Sequence, residues 1–357
     1  MQVNINLFIA EQNINVVEAL SRIDNCGYGI LYIVDDENKL VGSVSDGDIR
    51  RWIIKTNDLN AEVSLFMNNK PKYVFDTERD KIEEYKKKYP INSLPVLNKN
   101  CEIIDVIVFA NSLDLMTKVT NKDSLNVPCV IMAGGKGTRL YPYTKILPKP
   151  LIPIGDTPII ERIMNRFSEF GIKKFYLTVN YKKNMIRSYF DDLSANYKIE
   201  YVEENIPLGT GGSIKLINEK FDCPIIITNC DALINADYCD LYNYHKKSGN
   251  DITVVSALKN FTVPYGVLKT KENGQLIKME EKPKLSYFIN TGMYIINPDT
   301  IKLIPDNKMY HMTHLIDDVK KNGGRVGVYP VSEDSFLDMG EFDEMRRMEE
   351  KLNIVSK

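Results

Sequence analysis

Glycines and fixed positive charges are concentrated between residues 128 and 153, PCVIMAGGKGTRLYPYTKILPKPLIP. The apolar run 129–132 has the length of a buried strand, and a glycine-rich turn that ends in Arg139 follows it. Lys149 stands farther on, between two prolines. Glycines let the backbone approach a ligand closely and turn its N–H groups toward an anion, while the two basic side chains add positive charge. The pattern predicts an anion-binding turn, made by Ala133, Gly134, Gly135, Gly137 and Thr138.

Two aspartates are candidates for holding a divalent cation. The apolar strand 225–228 ends just before Asn229-Cys230-Asp231, so Asp231 is expected at the carboxyl edge of a sheet. Asp338 lies in the segment 335–340, SFLDMG. Hard cations such as Mg²⁺ prefer carboxylate oxygens. Aspartates also cap helices, and for either residue alone capping is the more common role.

The elements that must position these side chains alternate between strand and helix. Hydrophobic periodicity predicts strands at 129–132, 174–179, 198–202 and 225–228, and helices at 159–170, 183–190 and 212–218. Such alternation predicts an α/β fold, a Rossmann-like, mostly parallel mixed sheet with helices on both faces. Ligands bind at the carboxyl ends of the strands in such sheets, where the glycine-rich turn lies.

Composition restricts the class of protein. The chain has 357 residues, enough for about two domains, with 43% hydrophobic and 26% charged residues, as in ordinary globular proteins. A net charge of −2 predicts no nucleic-acid partner. The start, MQVNINLFIAEQN, lacks a signal-peptide pattern, and no apolar run approaches the roughly 18 residues that span a membrane. Six scattered cysteines without a CxxC pair favour a reducing compartment, so we expect a cytoplasmic protein with no membrane partner.

The first 118 residues contain an internal repeat at a period of roughly fifty residues. A helix, a strand, a turn and a strand are predicted at 16–23, 29–34, 35–38 and 40–44, and the same order recurs at 80–88, 93–97, 98–101 and 103–109. This arrangement resembles a tandem pair of CBS motifs. It implies an α+β regulatory domain at 1–118, then a polar linker at 119–127 and a catalytic domain at 128–357.

In CBS pairs, a Ser or Thr and an Asp three residues later commonly hold a nucleotide. Ser45 and Asp48 match that spacing, whereas Val108 and Asn111 occupy the corresponding places of the second copy. The resemblance therefore implies at most one regulatory nucleotide site, at Ser45 and Asp48, and a possible homodimer. The alternative, equally weighted, is that these two residues only cap a helix.

The sequence G-G-x-G-T-R-L followed by P-K-P is neither a Walker motif nor G-x-G-x-x-G. It resembles the signature of sugar-1-phosphate nucleotidyltransferases, which would bind their nucleotide at the glycine-rich turn. The resemblance implies that Arg139 grips the triphosphate, Lys149 contacts the reacting phosphates and Lys282, in the segment EEKP, holds the sugar 1-phosphate. On charge alone, EEKP is more simply a surface turn. The segment around Asp338 is similar to the family's W-x-D-x-G, with Phe336 in place of Trp, which implies that Asp231 and Asp338 hold Mg²⁺.

The same resemblance implies that sugar contacts come from Gly266, Glu281, Asn290 and Thr291. The base would be read in the segment 201–212, YVEENIPLGTGG, by Glu204 and Gly209. A carboxylate only accepts hydrogen bonds, and guanine offers two adjacent donors, whereas uracil and thymine flank one N–H with carbonyl oxygens. Glu204 therefore favours GTP, although a slip of one residue would place Glu203 there instead.

The whole set of motifs resembles guanylyltransferases of bacterial legionaminic acid synthesis, which use glucosamine 1-phosphate. It predicts GDP-glucosamine formation for surface or flagellar glycans, with release of pyrophosphate and with Mg²⁺ as cofactor. Two alternatives are a UTP-, dTTP- or CTP-dependent transferase and a non-catalytic nucleotide sensor. His311 and His314, three residues apart, are predicted to be a pair on a helix surface.

Overall fold

The computed structural model describes residues 4–89, 91–109 and 124–352. Its strands are β1 (Ile9–Glu11), β2 (Ile30–Val34), β3 (Leu40–Ser45), β4 (Val74–Phe75), β5 (Ser93–Leu97), β6 (Ile103–Val108), β7 (Cys129–Met132), β8 (Pro153–Ile154), β9 (Thr157–Pro158), β10 (Lys174–Val179), β11 (Lys198–Glu203), β12 (Ile225–Asn229), β13 (Ala232–Ile234), β14 (Ile252–Thr262), β15 (Val267–Thr270), β16 (Leu276–Glu280), β17 (Lys284–Ile296), β18 (Val326–Val331) and β19 (Phe336–Asp338). Its α-helices are α1 (Val16–Cys26), α2 (Asp46–Thr56), α3 (Ile82–Lys88), α4 (Tyr143–Ile146), α5 (Ile159–Glu169), α6 (Lys183–Asp191), α7 (Gly209–Gly212), α8 (Tyr238–Ser248), α9 (Met312–Lys321) and α10 (Phe342–Lys351).

The described residues divide into two compact units. The first unit contains 4–89, 91–109, 258–287 and 332–334, and the second contains 124–257, 288–331 and 335–352. Residues 258–287 and 332–334 group with the first unit, although they follow the predicted domain boundary at residue 118 in the sequence. Most of the predicted linker, and Asn111, lie outside the described residues. The assignment of 128–357 as one catalytic domain stays a prediction.

The first unit contains the internal repeat that the sequence predicts. In the first copy, β2 pairs parallel with β1 and antiparallel with β3. In the second copy, β5 pairs parallel with β4 and antiparallel with β6. The copies share a core, because Val106 of β6 packs in one cluster with Phe8 and Tyr32. The Tyr32 hydroxyl also meets Ser93 Oγ at 2.8 Å. Each copy by itself is small and buries little apolar surface, so the shared core stabilises both copies together.

Ser45 and Asp48 cap α2 reciprocally. Asp48 N donates to Ser45 Oγ at 3.2 Å, and the Asp48 carboxylate accepts from Ser45 N at 2.9 Å and from Ser45 Oγ at 2.6 Å. The other carboxylate oxygen pairs with Arg51. This capping box satisfies backbone N–H groups that the first turn of a helix leaves without partners. The helix-capping alternative is therefore present in the structure, and the nucleotide role of the pair stays a prediction.

The second unit contains a sheet in the order β11-β10-β7-β12-β17-β14-β18. Its β7, β10, β11 and β12 are parallel, and so are β14 and β18, whereas β17 runs antiparallel to β12. The chain goes from β7 to one side of the sheet and returns to the other side at β12. The mostly parallel mixed sheet is thus confirmed, and its topology creates a crevice at the carboxyl end of β7, where such sheets bind ligands.

Both faces of this sheet are covered. Alternate residues of β7 pack into two clusters, Cys129 and Ile131 with α5 on one face, and Val130 and Met132 with α9 on the other. The α5 helix buries Ile159, Ile160, Ile163, Met164 and Phe167, the spacing of one helix face. Within the described part of the chain, no helix has the length and apolarity to span a bilayer.

A buried histidine fastens α8 to the sheet. The His245 ring is 1% exposed, with Nδ1 2.9 Å from Thr253 Oγ1 and Nε2 3.1 Å from Asn297 Oδ1. Burial lowers the pKa of His245 below its ordinary value. The unfolded chain takes up this proton near pH 6.5, but the folded protein resists it. The contribution of this residue to stability is therefore full above about pH 6.5 and declines as the pH falls toward the lowered pKa.

We expect the melting temperature to fall more between pH 7.5 and 5.5 in the wild type than in His245→Asn, measured by differential scanning fluorimetry. His314→Asn, which alters an exposed histidine, should keep the wild-type slope. Equal slopes for wild type and His245→Asn would contradict this assignment.

Candidate active site

The glycine-rich turn packs tightly against two side chains that come from elsewhere in the second unit. Gly137 has φ of +64°, and a Cβ there would lie 2.9 Å from Lys149 Cβ. A Cβ on Gly134 would lie 2.8 Å from Glu204 Oε1. Glycine at 137 thus allows both the close approach of Lys149 and the left-handed backbone, and any larger residue at 134 would displace the Glu204 carboxylate. Ala133 is fully buried, and its N–H donates to Thr178 O at 2.9 Å.

The predicted Lys149 is buried and paired. It begins a short 3₁₀ turn (Lys149–Leu151), is 8% exposed, and its ammonium forms an ion pair with the Asp231 carboxylate. Arg139, the last residue of the glycine-rich turn, is exposed. The site thus contains one buried cation held by a carboxylate and one cation open to solvent.

Asp231 and Asp338 come together although they are 107 positions apart in the sequence. Strands β13 and β19 pair antiparallel with Ala232 opposite Asp338, and Met339 N donates to Asp231 O at 2.8 Å. Burial, and next the Asp231 charge, raise the pKa of Asp338, while Lys149 and Arg139 oppose the shift. A cation beside two such carboxylates would relieve their repulsion.

The described residues contain no group of three or more His, Cys, Asp and Glu side chains arranged to hold a metal. Two carboxylates are nevertheless a suitable donor set for Mg²⁺, because this ion is usually held by one or two carboxylates together with water and substrate phosphates. The residues that could hold it are Asp231 and Asp338.

Two cavities meet at these residues. The first, the glycine-turn cavity, has a volume of about 420 Å³ and is lined by Gly134, Gly135, Gly137, Thr138, Lys149, Glu204 and Gly209, among others. The second, the Asp338 cavity, has about 320 Å³ and is lined by Asp338, Asn290, Thr291, Gly292, Tyr294 and His311, among others. Both cavities share Arg139, Thr210, Asn229 and Asp231. Two ligands bound side by side would therefore meet between Arg139 and Asp231.

Glu204 lies in the wall of the glycine-turn cavity. It is 8% exposed, and its Oε2 accepts from Leu208 N at 3.1 Å. Burial raises the pKa of Glu204 above its usual range. Its neighbour Glu203 is exposed and pairs with Lys183 and Arg187. The structure therefore distinguishes the two glutamates: Glu204 faces a cavity, and Glu203 belongs to a charged surface.

The predicted sugar-binding residues occupy two places. Asn290 Nδ2 donates to Tyr294 Oη at 2.7 Å, and its Oδ1 accepts from Gly292 N at 3.0 Å. Thr291 is buried and donates to Val255 O at 2.8 Å, so its hydroxyl is engaged within the sheet. A Cβ on Gly292 (φ +81°) would lie 2.3 Å from Asn229 Nδ2, which makes glycine obligatory there.

The remaining predicted residues, Gly266, Glu281 and Lys282, belong to the first unit. Gly266 and Glu281 lie together, because a Cβ on Gly266 would be 2.9 Å from Glu281 Oε2. Lys282 follows with φ of +46°, a left-handed conformation that L-residues other than glycine rarely adopt.

Sequence reasoning assigned His311 no role at the site, but His311 lines the Asp338 cavity. The prediction of a helix-surface pair is wrong for His311, which immediately precedes α9 and faces Thr210. Asn229 and Thr210 were also missed, although both adjoin predicted residues in the sequence. The signal that could have found Asn229 is its place at the end of a buried strand.

Comparisons with known proteins identify two sequence families. The model of the nucleotidyl transferase family matches residues 129–353, well over half of the chain. The CBS domain model matches residues 3–55. Among curated relatives, a mannose-1-phosphate guanyltransferase of Emericella nidulans is 35% identical over 184 residues, which cover 49% of this chain and 50% of the relative. A UTP–glucose-1-phosphate uridylyltransferase of Synechocystis is 32% identical over 206 residues, covering 51% of this chain and 52% of the relative.

The chain thus spans about half the length of the curated relatives it matches. Among solved structures, HddC from Yersinia pseudotuberculosis is similar with a TM-score of 0.51 and 27% sequence identity. That similarity covers 63% of this chain and 99% of HddC.

Proposed function

Because the chain belongs to the nucleotidyl transferase family, we propose that it transfers a nucleoside monophosphate from an NTP to a hexose 1-phosphate. The observation that carries this proposal is the pair of adjoining cavities, which share Arg139 and Asp231. One cavity would hold the nucleotide against the glycine-rich turn. The other would hold the sugar phosphate beside Asp338.

In the proposed reaction, an oxygen of the sugar phosphate attacks the α-phosphorus of the NTP. The bond from that phosphorus to the bridging oxygen breaks, and pyrophosphate leaves with the electron pair. The attacking phosphate is already an anion, so no general base is needed, and positioning and charge neutralisation do most of the work. Arg139, exposed at the shared wall, would hold the triphosphate, and Lys149 would contact the reacting phosphates.

Asp231 and Asp338 would hold Mg²⁺ in this proposal. The bound ion would neutralise charge on the reacting phosphates. Lys149 keeps the Asp231 carboxylate in place by its ion pair. Lys282, in the segment EEKP, stays a predicted ligand of the sugar 1-phosphate by its motif alone.

GTP is our proposed nucleotide, and the position of Glu204 supports it. One oxygen of Glu204 is occupied by Leu208 N, and the other lies beside Gly134, so the carboxylate is held at the cavity surface. Such an acceptor suits the adjacent N1–H and 2-amino donors of guanine. The relatives include both guanyl- and uridylyltransferases, and the UTP-dependent reading is therefore the second candidate.

The test incubates the protein with glucosamine 1-phosphate and each of GTP, UTP, dTTP and CTP, and measures pyrophosphate release and product mass. We expect GTP to be used best. Glu204→Gln should lower the preference for GTP over UTP by about ten- to a hundred-fold, the value of hydrogen bonds to a charged group. The adjacent Glu203→Gln is the matched control and should keep the wild-type ratio. Preference of the wild type for UTP would refute the role of Glu204.

Glucosamine 1-phosphate is our proposed acceptor, in a route to legionaminic acid. The proposal rests on the combination of an N-terminal CBS match with the transferase motifs. Mannose 1-phosphate and glucose 1-phosphate, after which the two relatives are named, belong in the same panel. If kcat/KM is higher with either of them than with glucosamine 1-phosphate, that sugar phosphate is the acceptor and glucosamine 1-phosphate is not.

We also propose that the CBS-matched segment, which contains Ser45 and Asp48, binds a regulatory nucleotide, and that the chain forms a homodimer. Both are tested by titrating ATP, AMP and GDP while turnover and particle mass are followed. If none of these nucleotides changes turnover, the regulatory role is refuted. If the particle has the mass of a monomer, the homodimer is refuted.

A further inference from the structure

We propose that His311 binds the sugar phosphate through its Nε2–H group, and so helps to determine acceptor affinity. This inference rests on the proposed function, since it assigns the Asp338 cavity to the acceptor. It concerns a residue outside the motifs of the glycine-rich turn and of the two aspartates.

The position of the ring is set by contacts on one nitrogen. Thr210 N lies 3.4 Å from His311 Nδ1, and Thr210 Oγ1 lies 3.5 Å from the same atom. A backbone N–H can only donate, so Nδ1 must be the acceptor and carries no proton. A neutral imidazole with an unprotonated Nδ1 has its proton on Nε2. Both contacts with Thr210 use Nδ1, and the ring lines the Asp338 cavity, so Nε2–H is the donor that would serve a ligand there.

Neighbouring residues restrict the position of this ring. A Cβ on Gly209 would lie 2.9 Å from His311 Nδ1, so only glycine leaves room for the imidazole. Thr210 Oγ1 accepts from Met312 N at 3.2 Å, and His311 N donates to His314 Nδ1 at 3.2 Å. The ring is therefore oriented before any ligand arrives, which lowers the entropic cost of a hydrogen bond to that ligand.

Besides the carboxylates of Asp231 and Asp338, the Asp338 cavity offers groups that suit a sugar phosphate. His311 shares the cavity with Arg139, Asn229 and Asn290, which offer a cation and amide groups. Phe336 adds an aromatic side chain. His311 does not line the glycine-turn cavity, which contains Glu204. Loss of the His311 hydrogen bond should therefore weaken binding of the sugar phosphate and leave the affinity for the nucleotide largely unchanged.

Two substitutions separate a ligand contact from a structural role. In His311→Gln the amide nitrogen can replace Nε2 as a donor toward the cavity, but the acceptor for Thr210 is lost. In His311→Asn the side-chain oxygen can replace Nδ1 as that acceptor, but the donor toward the cavity is lost. His314→Asn keeps an acceptor for His311 N and is the control on the same helix.

The experiment measures KM for glucosamine 1-phosphate and for GTP by pyrophosphate release, and Kd for glucosamine 1-phosphate by calorimetry. We expect His311→Asn to raise the acceptor KM and Kd by ten- to a hundred-fold, with the GTP KM changed by less than about three-fold. We expect His311→Gln to recover most of that loss, and His314→Asn to behave as wild type.

Wild-type values for His311→Asn would overturn the proposal. So would the reverse order, in which His311→Gln is the impaired variant, because the contact with Thr210 would then be what matters. Calorimetry keeps the two proposals distinguishable: a wild type that binds glucosamine 1-phosphate without turnover refutes the transferase activity, whereas the ratio of Kd values still tests His311.

Discussion

Asp231→Asn is expected to lower kcat on the order of a thousand-fold while GTP still binds with an affinity within a few-fold of wild type. The carboxylate is shared between the Lys149 ion pair and the proposed cation site beside Asp338. The substitution removes the negative charge that binds both the Lys149 ammonium and the proposed cation. A loss of several kcal/mol of transition-state stabilisation corresponds to about three or more orders of magnitude in rate. Turnover by pyrophosphate release and binding by calorimetry provide the two readouts.

Asp299→Asn is the matched control, because Asp299 is an exposed partner of Lys302 on a 3₁₀ turn of the same unit. It should leave kcat unchanged. Since Asp231→Asn leaves the buried Lys149 without its partner, circular dichroism must confirm that the variant is folded. A folded Asp231→Asn protein with kcat within three-fold of wild type would contradict the proposed site. A wild type that binds GTP but turns over no substrate pair would instead support the nucleotide sensor.

Gly137→Ala is expected to lower kcat/KM by about a hundred-fold. The new Cβ would lie 2.9 Å from Lys149 Cβ and 3.0 Å from Thr144 Cγ2, so the turn and Lys149 must move apart. A displacement of this kind, on the order of 1 Å, can cost about a hundred-fold in rate. The left-handed backbone adds a cost in stability of about 1–2 kcal/mol.

Gly249→Ala separates these two effects. Gly249 also has a left-handed backbone, with φ of +60° at the end of α8, but no atom lies within 4 Å of its added Cβ. We expect a similar loss of stability, measured by urea denaturation, with full activity. If Gly137→Ala keeps wild-type kcat/KM, the close approach of the turn to Lys149 has no role in catalysis.

The strands and helices that carry the site were predictable because their signals are local. The predicted strand 174–179 coincides with β10, and 129–132 coincides with β7. Each is an apolar segment bounded by glycine, proline or polar residues, and each is buried on both faces. Ser45 and Asp48 are only three residues apart, so the capping box could be expected from the sequence as well.

One local prediction failed for a tertiary reason. A helix was expected at 212–218, but the structure has α7 at Gly209–Gly212 followed by a 3₁₀ turn, Ser213–Leu216. The N–H groups of Gly211 and Gly212 donate to Tyr310 O at 2.9 and 3.0 Å. Glycines have weak helix propensity, and the carbonyl of Tyr310, distant in the sequence, satisfies N–H groups that the first turn of a helix leaves without partners, so α7 begins earlier than expected.

The sequence by itself determined the glycine-rich turn, the alternation of strands and helices and the internal repeat, because each depends on residues a few positions apart. Only the tertiary structure decided which side chains share a cavity. Lys149 meets Asp231 across 82 positions, and His311 meets Thr210 across 101. Such pairs depend on the order of the strands in the sheet and on the path of the chain between them. Local residue types and their spacing do not predict that order or that path.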